Sequence, residues 1–105
     1  MLTVLDVSSN AALTRLDCSY NILTALDVNN NAELRWLECY DNRLTALDIS
    51  SNKALLALDC SYNPGDGTVF PVTAWFDNSG IPHDFTTGSW SYEGTEITID
   101  YRKAD

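Results

Sequence analysis

Leucine recurs along the first 64 residues at a fixed spacing. Each short segment has a leucine, a second leucine three residues later, a Val, Ile or Cys two residues after that, and an asparagine three residues further on. Such segments alternate between two forms, which gives a full repeat of 21 residues. The first form begins at Leu2, Leu23 and Leu44, and the second at Leu13, Leu34 and Leu55. The pattern predicts three stacked coils that share one core.

The spacing within each coil matches the leucine-rich-repeat pattern L-x-x-L-x-L-x-x-N-x-L, whose period is 20 to 29 residues. Leu16 and Cys18 are two residues apart, so both face the core from one short strand. An asparagine follows where the chain turns, and its side chain can bond backbone groups that the bend leaves unpaired. We expect two asparagine ladders. They comprise Asn21, Asn42 and Asn63, and Asn10, Asn31 and Asn52.

The three cysteines, Cys18, Cys39 and Cys60, follow the same 21-residue period. Their odd number excludes a closed disulfide framework, and they lack the clustered C-x-x-C spacing of zinc sites. We predict that the thiols are reduced, unligated and buried as small apolar groups.

These repeats resemble the cysteine-ladder leucine-rich repeats of bacterial surface proteins, including internalin-type adhesins and many surface or secreted proteins of gut Bacteroidetes. The resemblance covers residues 2–64. It implies a location on the cell surface or in the secreted fraction, and a role in binding proteins or glycans. Relatives of this kind usually carry an N-terminal cap and an export signal, whereas this chain begins inside a repeat. We therefore expect a C-terminal fragment of a longer protein.

The leucine period stops at Asn63, and the turn sequence Pro64-Gly65-Asp66-Gly67 follows. The tail resembles the C-terminal caps of the same proteins. The prediction is a mainly β solenoid with leucine-rich repeats over residues 1–64 and a β-hairpin cap over residues 65–105. A cap covers the leucines that the last coil exposes.

Two strand features are predicted within the tail. Val69 to Phe76 has strand character but contains Pro71, which predicts an edge or bulged strand. A hairpin closes at Glu93-Gly94, with Tyr92 opposite Thr95 and Trp90 opposite Ile97. We interpret the tail aromatics as the core of the cap rather than as a ligand cage.

The chain of 105 residues carries a net charge of -9, which argues against nucleic acid and anionic membranes as partners. No apolar run reaches the length of a membrane span, so membrane insertion is not expected. Catalysis would need His83, the single histidine, and the cysteines are predicted to face the core. No catalytic motif is present. We expect neither an enzyme nor a cofactor.

The period also generates two columns of acids, Asp6, Asp27, Asp48 and Asp17, Glu38, Asp59. Stacked strands would bring neighbouring carboxylates to about 5 Å, where like charges repel. Calcium could neutralise them, but it needs six to eight oxygen ligands in a shaped site, and no D-x-D-x-D-G loop occurs. Turn-bonding or solvated carboxylates are the favoured interpretation, and no metal site is predicted.

The outward positions of the cysteine strands are the candidate binding site. Large aromatic side chains normally seek burial, so an outward Trp36 beside Tyr40 suggests a contact surface. The predicted ligand-binding residues are Arg15, Trp36, Glu38, Tyr40 and Asp41. The predicted function is recognition of a protein or glycan on this face; the alternative is a structural spacer without its own ligand. End-to-end self-association through the uncapped N-terminal coil is also predicted.

Overall fold

The structure is a computed structural model that describes residues 1–104. This part of the chain contains no helix, and therefore none that could cross a membrane. Its strands are β1 (Arg15–Asp17), β2 (Trp36–Glu38), β3 (Leu47–Asp48), β4 (Ala57–Asp59), β5 (Val69–Ala74), β6 (Ser89–Tyr92) and β7 (Thr95–Lys103). The predicted mainly β solenoid is confirmed.

β1, β2 and β4 form a parallel sheet, which we call the cysteine sheet because a cysteine follows each strand. Arg15 pairs with Trp36, and Trp36 pairs with Ala57. Equivalent residues of successive coils therefore lie side by side, because the sequence period of 21 residues is also the structural period.

The tail adds one more rung to the cysteine sheet. Phe85 forms a parallel bridge with Leu58 of β4. The Leu58 amide donates to the Asp84 carbonyl at 3.1 Å, and the Thr86 amide donates to the Leu58 carbonyl at 3.0 Å. The tail thus pairs the strand edge that the last coil would otherwise expose.

The second sheet, the cap sheet, has the strand order β3-β5-β7-β6. β3 pairs parallel with β5, β5 pairs parallel with β7, and β6 and β7 form an antiparallel hairpin. The hairpin register is the predicted one, with Trp90 opposite Ile97 and Tyr92 opposite Thr95. Glu93 and Gly94 both have positive φ, 49° and 83°, as a type I′ turn requires.

The prediction that Pro71 marks an edge or bulged strand is wrong. β5 is an interior strand of the cap sheet, and its register with β7 is continuous from Val69 to Ala74. A proline is tolerated there because the two-residue strand β3 pairs only with Val72 and Thr73. Pro71 lies outside that short ladder. The amide hydrogen that proline lacks would therefore have had no partner on β3.

One apolar cluster extends from the first coil into the tail. The tail contributes Phe70, Phe76, Phe85, Trp90 and Tyr101, all buried, whereas Trp75 is half-buried. Trp90 Nε1 donates to the carbonyl of Asn63 at 2.9 Å, and the Tyr101 hydroxyl donates to the carbonyl of Thr86 at 2.7 Å. These aromatics form the core of the cap, as predicted. The division of the chain into residues 1–64 and 65–105 stays a prediction.

The first asparagine ladder forms at all three predicted positions and the second forms at Asn31 and Asn52, whereas Asn10 is exposed and its side chain makes no hydrogen bond within residues 1–104. In the first ladder, Asn42 Nδ2 donates to the carbonyls of Cys18 at 3.0 Å and Cys39 at 3.2 Å, and its Oδ1 accepts from the Leu23 amide at 3.0 Å. In the second ladder, Asn52 Nδ2 donates to the carbonyls of Val28 at 3.0 Å and Asn31 at 2.9 Å. Each rung therefore joins one coil to the preceding one.

Candidate functional site

Strand alternation determines which side chains of the cysteine sheet reach solvent. Leu37 on β2 is fully buried, while its neighbour Trp36 is 42% exposed and Glu38 is half-buried. On β1 and β4 the residues paired with Trp36 are Arg15, which is exposed, and Ala57, which is half-buried. Trp36 therefore faces outward as predicted, with the long side chain of Arg15 on one side and the short side chain of Ala57 on the other.

Trp36 borders a groove of about 190 Å³, which we call the Trp36 groove. Its lining residues are Trp36, Leu37, Glu38, Ala57, Leu58, Asp59 and Asp84. Glu38 is held on one side by Arg15, whose Nη2 lies 3.5 Å from Glu38 Oε1. The groove thus combines an exposed indole with three carboxylates around an apolar floor.

The five predicted site residues do not form one cluster. Trp36 and Glu38 line the groove, and Arg15 reaches it through its ion pair with Glu38. Tyr40 is half-buried and packs edge-on against Tyr20, with ring centroids 5.1 Å apart. Asp41 is exposed, and neither it nor Tyr40 lines the groove.

Asp84 is a groove residue that sequence reasoning did not include. It lies 25 residues beyond β4 and is brought to the groove by the extra rung that the tail adds to the cysteine sheet. Its positive φ of 71° is unusual for a residue other than glycine. No local pattern in the sequence signals this long-range pairing.

A second, larger depression adjoins the Trp36 groove at the junction with the tail. It has a volume of about 420 Å³, and we call it the cap cleft. It lies between residues 58–62 of the last coil and residues 84–90 of the tail. Leu58, Asp59 and Asp84 border both depressions, so the two are continuous.

The turn after each cysteine strand has the same unusual backbone. Tyr20, Asp41 and Tyr62 occupy equivalent positions and have φ values of 58°, 56° and 57°. A tyrosine with this left-handed backbone is strained by about 1–3 kcal/mol. The ladder asparagine that follows each of them fixes the turn through its bonds to nearby carbonyls. Tyr20 and Tyr62 are thereby held on the surface, 62% and 49% exposed.

Most acids of the two columns bond their own turns. Asp48 Oδ1 accepts from the Ser50 amide at 2.9 Å and the Ser50 hydroxyl at 2.6 Å, and Asp59 makes the same pair of bonds with Ser61. Bonds from the hydroxyl and amide of Ser8 lower the pKa of Asp6. The turn-bonding interpretation is confirmed for these aspartates. Within residues 1–104, no three His, Cys, Asp or Glu side chains are grouped to hold a metal ion.

The three thiols are buried and unpaired. Burial, followed by the nearby Asp17 carboxylate, raises the pKa of Cys18 to about 11, and burial raises that of Cys60 to about 12. Burial raises the pKa of Cys39 as well, and the neighbouring thiols of Cys60 and Cys18 raise it further. Thiols with such pKa values remain protonated at neutral pH and are poor nucleophiles. His83, in contrast, lies on the surface, with its side chain 97% exposed beside Asp84.

Together, the stacked coils, the asparagine ladders and the column of thiols define a leucine-rich-repeat solenoid of the cysteine-ladder type. The functional domain of InlJ from Listeria monocytogenes, whose solved structure includes a cysteine ladder, is similar to this chain at 37% identity and a TM-score of 0.60. The match covers 69% of this chain and 18% of that one, so the chain spans less than a fifth of the InlJ domain. No protein-family model and no curated protein matches the chain. The fold is an internalin-like solenoid.

Proposed function

We propose that the chain is a non-catalytic binding module of a bacterial surface or secreted protein, and that it recognises a protein or glycan on the cysteine sheet. The observation that carries the proposal is the position of Trp36. Its indole is 42% exposed on the middle strand of a rigid sheet and borders a groove. The similarity to the InlJ functional domain supports a surface location and a binding role.

The surroundings of Trp36 suit a binding hot spot. Contact energy concentrates in central aromatics that a partner can desolvate completely, while polar groups at the rim contribute less. Leu37 and Leu58 form a rigid floor, and the Arg15–Glu38 pair supplies polar contacts at one side. Tyr40 and Asp41 lie on the following turn, where they would extend the contact towards the first ladder.

A spacer without its own ligand is the second candidate. It is favoured by the half-coils that begin at Leu2, Leu23 and Leu44, because these repeat nearly the same residues. The repeated Asp6, Asp27 and Asp48 each bond the amide two residues later. Side chains engaged in their own turns offer little specific contact. The cysteine sheet differs, because Arg15, Trp36 and Ala57 vary from coil to coil.

A binding screen with a matched pair of variants tests the proposal. The chain is presented to an array of glycans and extracellular protein domains, and each hit is measured again with Trp36→Ala and Leu56→Ala. Leu56 is 53% exposed but lies outside the Trp36 groove, so its replacement controls for lost apolar surface. Trp36→Ala should weaken a true partner by about 2 kcal/mol or more, roughly thirtyfold. Equal affinities of the two variants for every hit would contradict the assignment of binding to Trp36, and an absence of hits would favour the spacer.

A further inference from the structure

We propose that the cap cleft binds a neutral hexopyranose unit of a glycan, stacked on Tyr62 and hydrogen-bonded by Asp59 and Asp84. The cap cleft shares Leu58, Asp59 and Asp84 with the Trp36 groove, but Trp36 itself does not line the cleft, so the proposal does not depend on Trp36 making any contact. Its volume of about 420 Å³ falls within the range of small-molecule sites, about 300 to 1,000 Å³.

Tyr62 provides a rigid aromatic surface at the mouth of the cleft. The tyrosine is 49% exposed, and its backbone is held in the left-handed region at a φ of 57°. The next residue, Asn63, is fully buried and donates to the carbonyls of Cys39, Cys60 and Ser61 at 3.1, 3.0 and 3.2 Å. The turn is therefore fixed before any ligand arrives. A tyrosine on a fixed turn offers a flat apolar face, and ordering its side chain costs little entropy because only two χ angles are involved.

Hydrogen-bond donors and acceptors line the cleft beside this ring. Asp59 uses Oδ1 to accept from the Ser61 amide and hydroxyl, which leaves its Oδ2 available to accept from a ligand hydroxyl. Asp84 lines the same cleft from the tail, Thr87 brings a hydroxyl that can donate and accept, and the Ser89 hydroxyl, which donates to Glu96 at 3.3 Å, can accept. A sugar ring has an apolar face, and the hydroxyls around its edge both donate and accept hydrogen bonds. The cleft matches that combination.

The negative charge of the cleft favours neutral sugars over acidic ones as ligands. The chain carries a net charge of -9, and the cleft itself presents Asp59 and Asp84. Of the basic side chains nearby, Arg15 is paired with Glu38, and the exposed His83 ring lies 3.0 Å from Asp84 and does not line the cleft. A carboxylated or sulfated sugar would meet like charge both at long range and at contact. A neutral pyranose avoids this repulsion, and its hydroxyls donate to the carboxylates.

Titration of the ¹⁵N-labelled chain with methyl glucoside, methyl galactoside and methyl mannoside tests the proposal, with glucuronate as the charged comparison. Single sugar units bind weakly, with Kd of the order of 1 mM. At least one neutral glycoside should shift the amide signals of Ser61, Tyr62, Thr87 and Ser89 saturably, and glucuronate should not. An absence of saturable shifts up to about 100 mM for all three glycosides would overturn the proposal. Equal binding of glucuronate would also overturn it. So would a result in which an oligolysine peptide saturates these signals and none of the glycosides does.

Variants at two equivalent tyrosines locate the binding. Tyr62→Asn removes the ring but keeps a residue that tolerates left-handed backbone, so it should fold and lose binding at least tenfold. Tyr62→Phe should retain most of the affinity. Tyr20→Asn is the matched control, because Tyr20 has nearly the same φ, 58°, on the first coil and lies outside the cleft. If Tyr62→Asn and Tyr20→Asn bind the glycoside alike, the cap cleft is not the site.

Discussion

Cys18, Cys39 and Cys60 show how a single repeated position affects the protein's chemistry. Each thiol faces the core beside a buried or half-buried leucine, and the exposed fractions are 4%, 0% and 0%. Burial disfavours the thiolate, so the pKa of each group is raised. The thiols consequently act as apolar packing groups in the folded chain and as acids only in the unfolded chain.

Stability should therefore fall in mild alkali. An unfolded thiol ionises near pH 8.5, whereas the thiol of Cys60 keeps its proton until about pH 12. Above pH 8.5 the unfolded state binds fewer protons than the folded state, so the free energy of unfolding decreases as the pH rises. Each fully buried thiol contributes a slope approaching about 1.4 kcal/mol per pH unit.

Urea unfolding between pH 8 and pH 10 measures this effect, and a Cys39→Ala, Cys60→Ala double variant is the comparison. The double variant should start less stable because it has cavities, yet show a shallower decrease with pH. Tyrosines of the unfolded chain also begin to ionise towards pH 10, but both chains contain them, so the comparison isolates the thiols. Parallel slopes for the two chains would mean that the thiols are not the cause.

The surface tyrosines show what residue patterns could not predict. The 21-residue period makes Tyr20, Asp41 and Tyr62 equivalent positions, but it contains no signal for their positive φ. Glycine or asparagine would have indicated left-handed backbone, whereas tyrosine does not. The conformation follows from the ladder asparagine after each of them, which is a tertiary constraint.

At the scale of elements, the asparagine ladder joins the coils, and its central rung should contribute most. Asn42→Ala leaves the buried amide of Leu23 without its partner, while the carbonyls of Cys18 and Cys39 lose one bond each and keep those from Asn21 and Asn63. An unsatisfied buried group costs about 1–3 kcal/mol, and two further bonds are lost, so the free energy of unfolding should fall by about 2–3 kcal/mol. Chemical denaturation measures the loss.

Asn21→Ala is the matched control for this prediction. Asn21 occupies the same ladder position but is only half-buried, and its partner Leu2 is 47% exposed. Water can replace the lost bonds there, so we expect a loss of about 1 kcal/mol. Similar losses for the two variants would contradict the view that burial makes the ladder strong.

Elements with local signals were predicted well, and those that depend on distant pairing were not. The register of the β6–β7 hairpin could be predicted because alternation with a period of two and the Glu93-Gly94 turn specify it. β5 was assigned to an edge because Pro71 suggests one. The sequence does not reveal that β3 pairs with only two residues of β5, nor that Phe85 bridges to Leu58.

At the scale of the whole molecule, the repeats and the tail share both sheets and one core. The tail supplies β5 beside β3 in the cap sheet and Phe85 beside β4 in the cysteine sheet. This junction also creates the candidate sites, because Asp84 lines both the Trp36 groove and the cap cleft. The fold class and Trp36 could be predicted from the period, whereas the grooves could not, since they arise where distant segments meet.

The central claim is that the solenoid turns Trp36 towards solvent, where a partner can contact it, while the tail uses Trp90 to close the core. Urea unfolding of Trp36→Ala and Trp90→Ala tests this claim most directly. Trp36 is 42% exposed, so its replacement should lower the free energy of unfolding by only about 1–2 kcal/mol, through lost contact with the sheet surface. Trp90 is 6% exposed and bonds the Asn63 carbonyl, so its replacement should cost about 3–5 kcal/mol. A loss of that larger size in Trp36→Ala would mean that Trp36 faces the core and that the proposed binding surface does not exist.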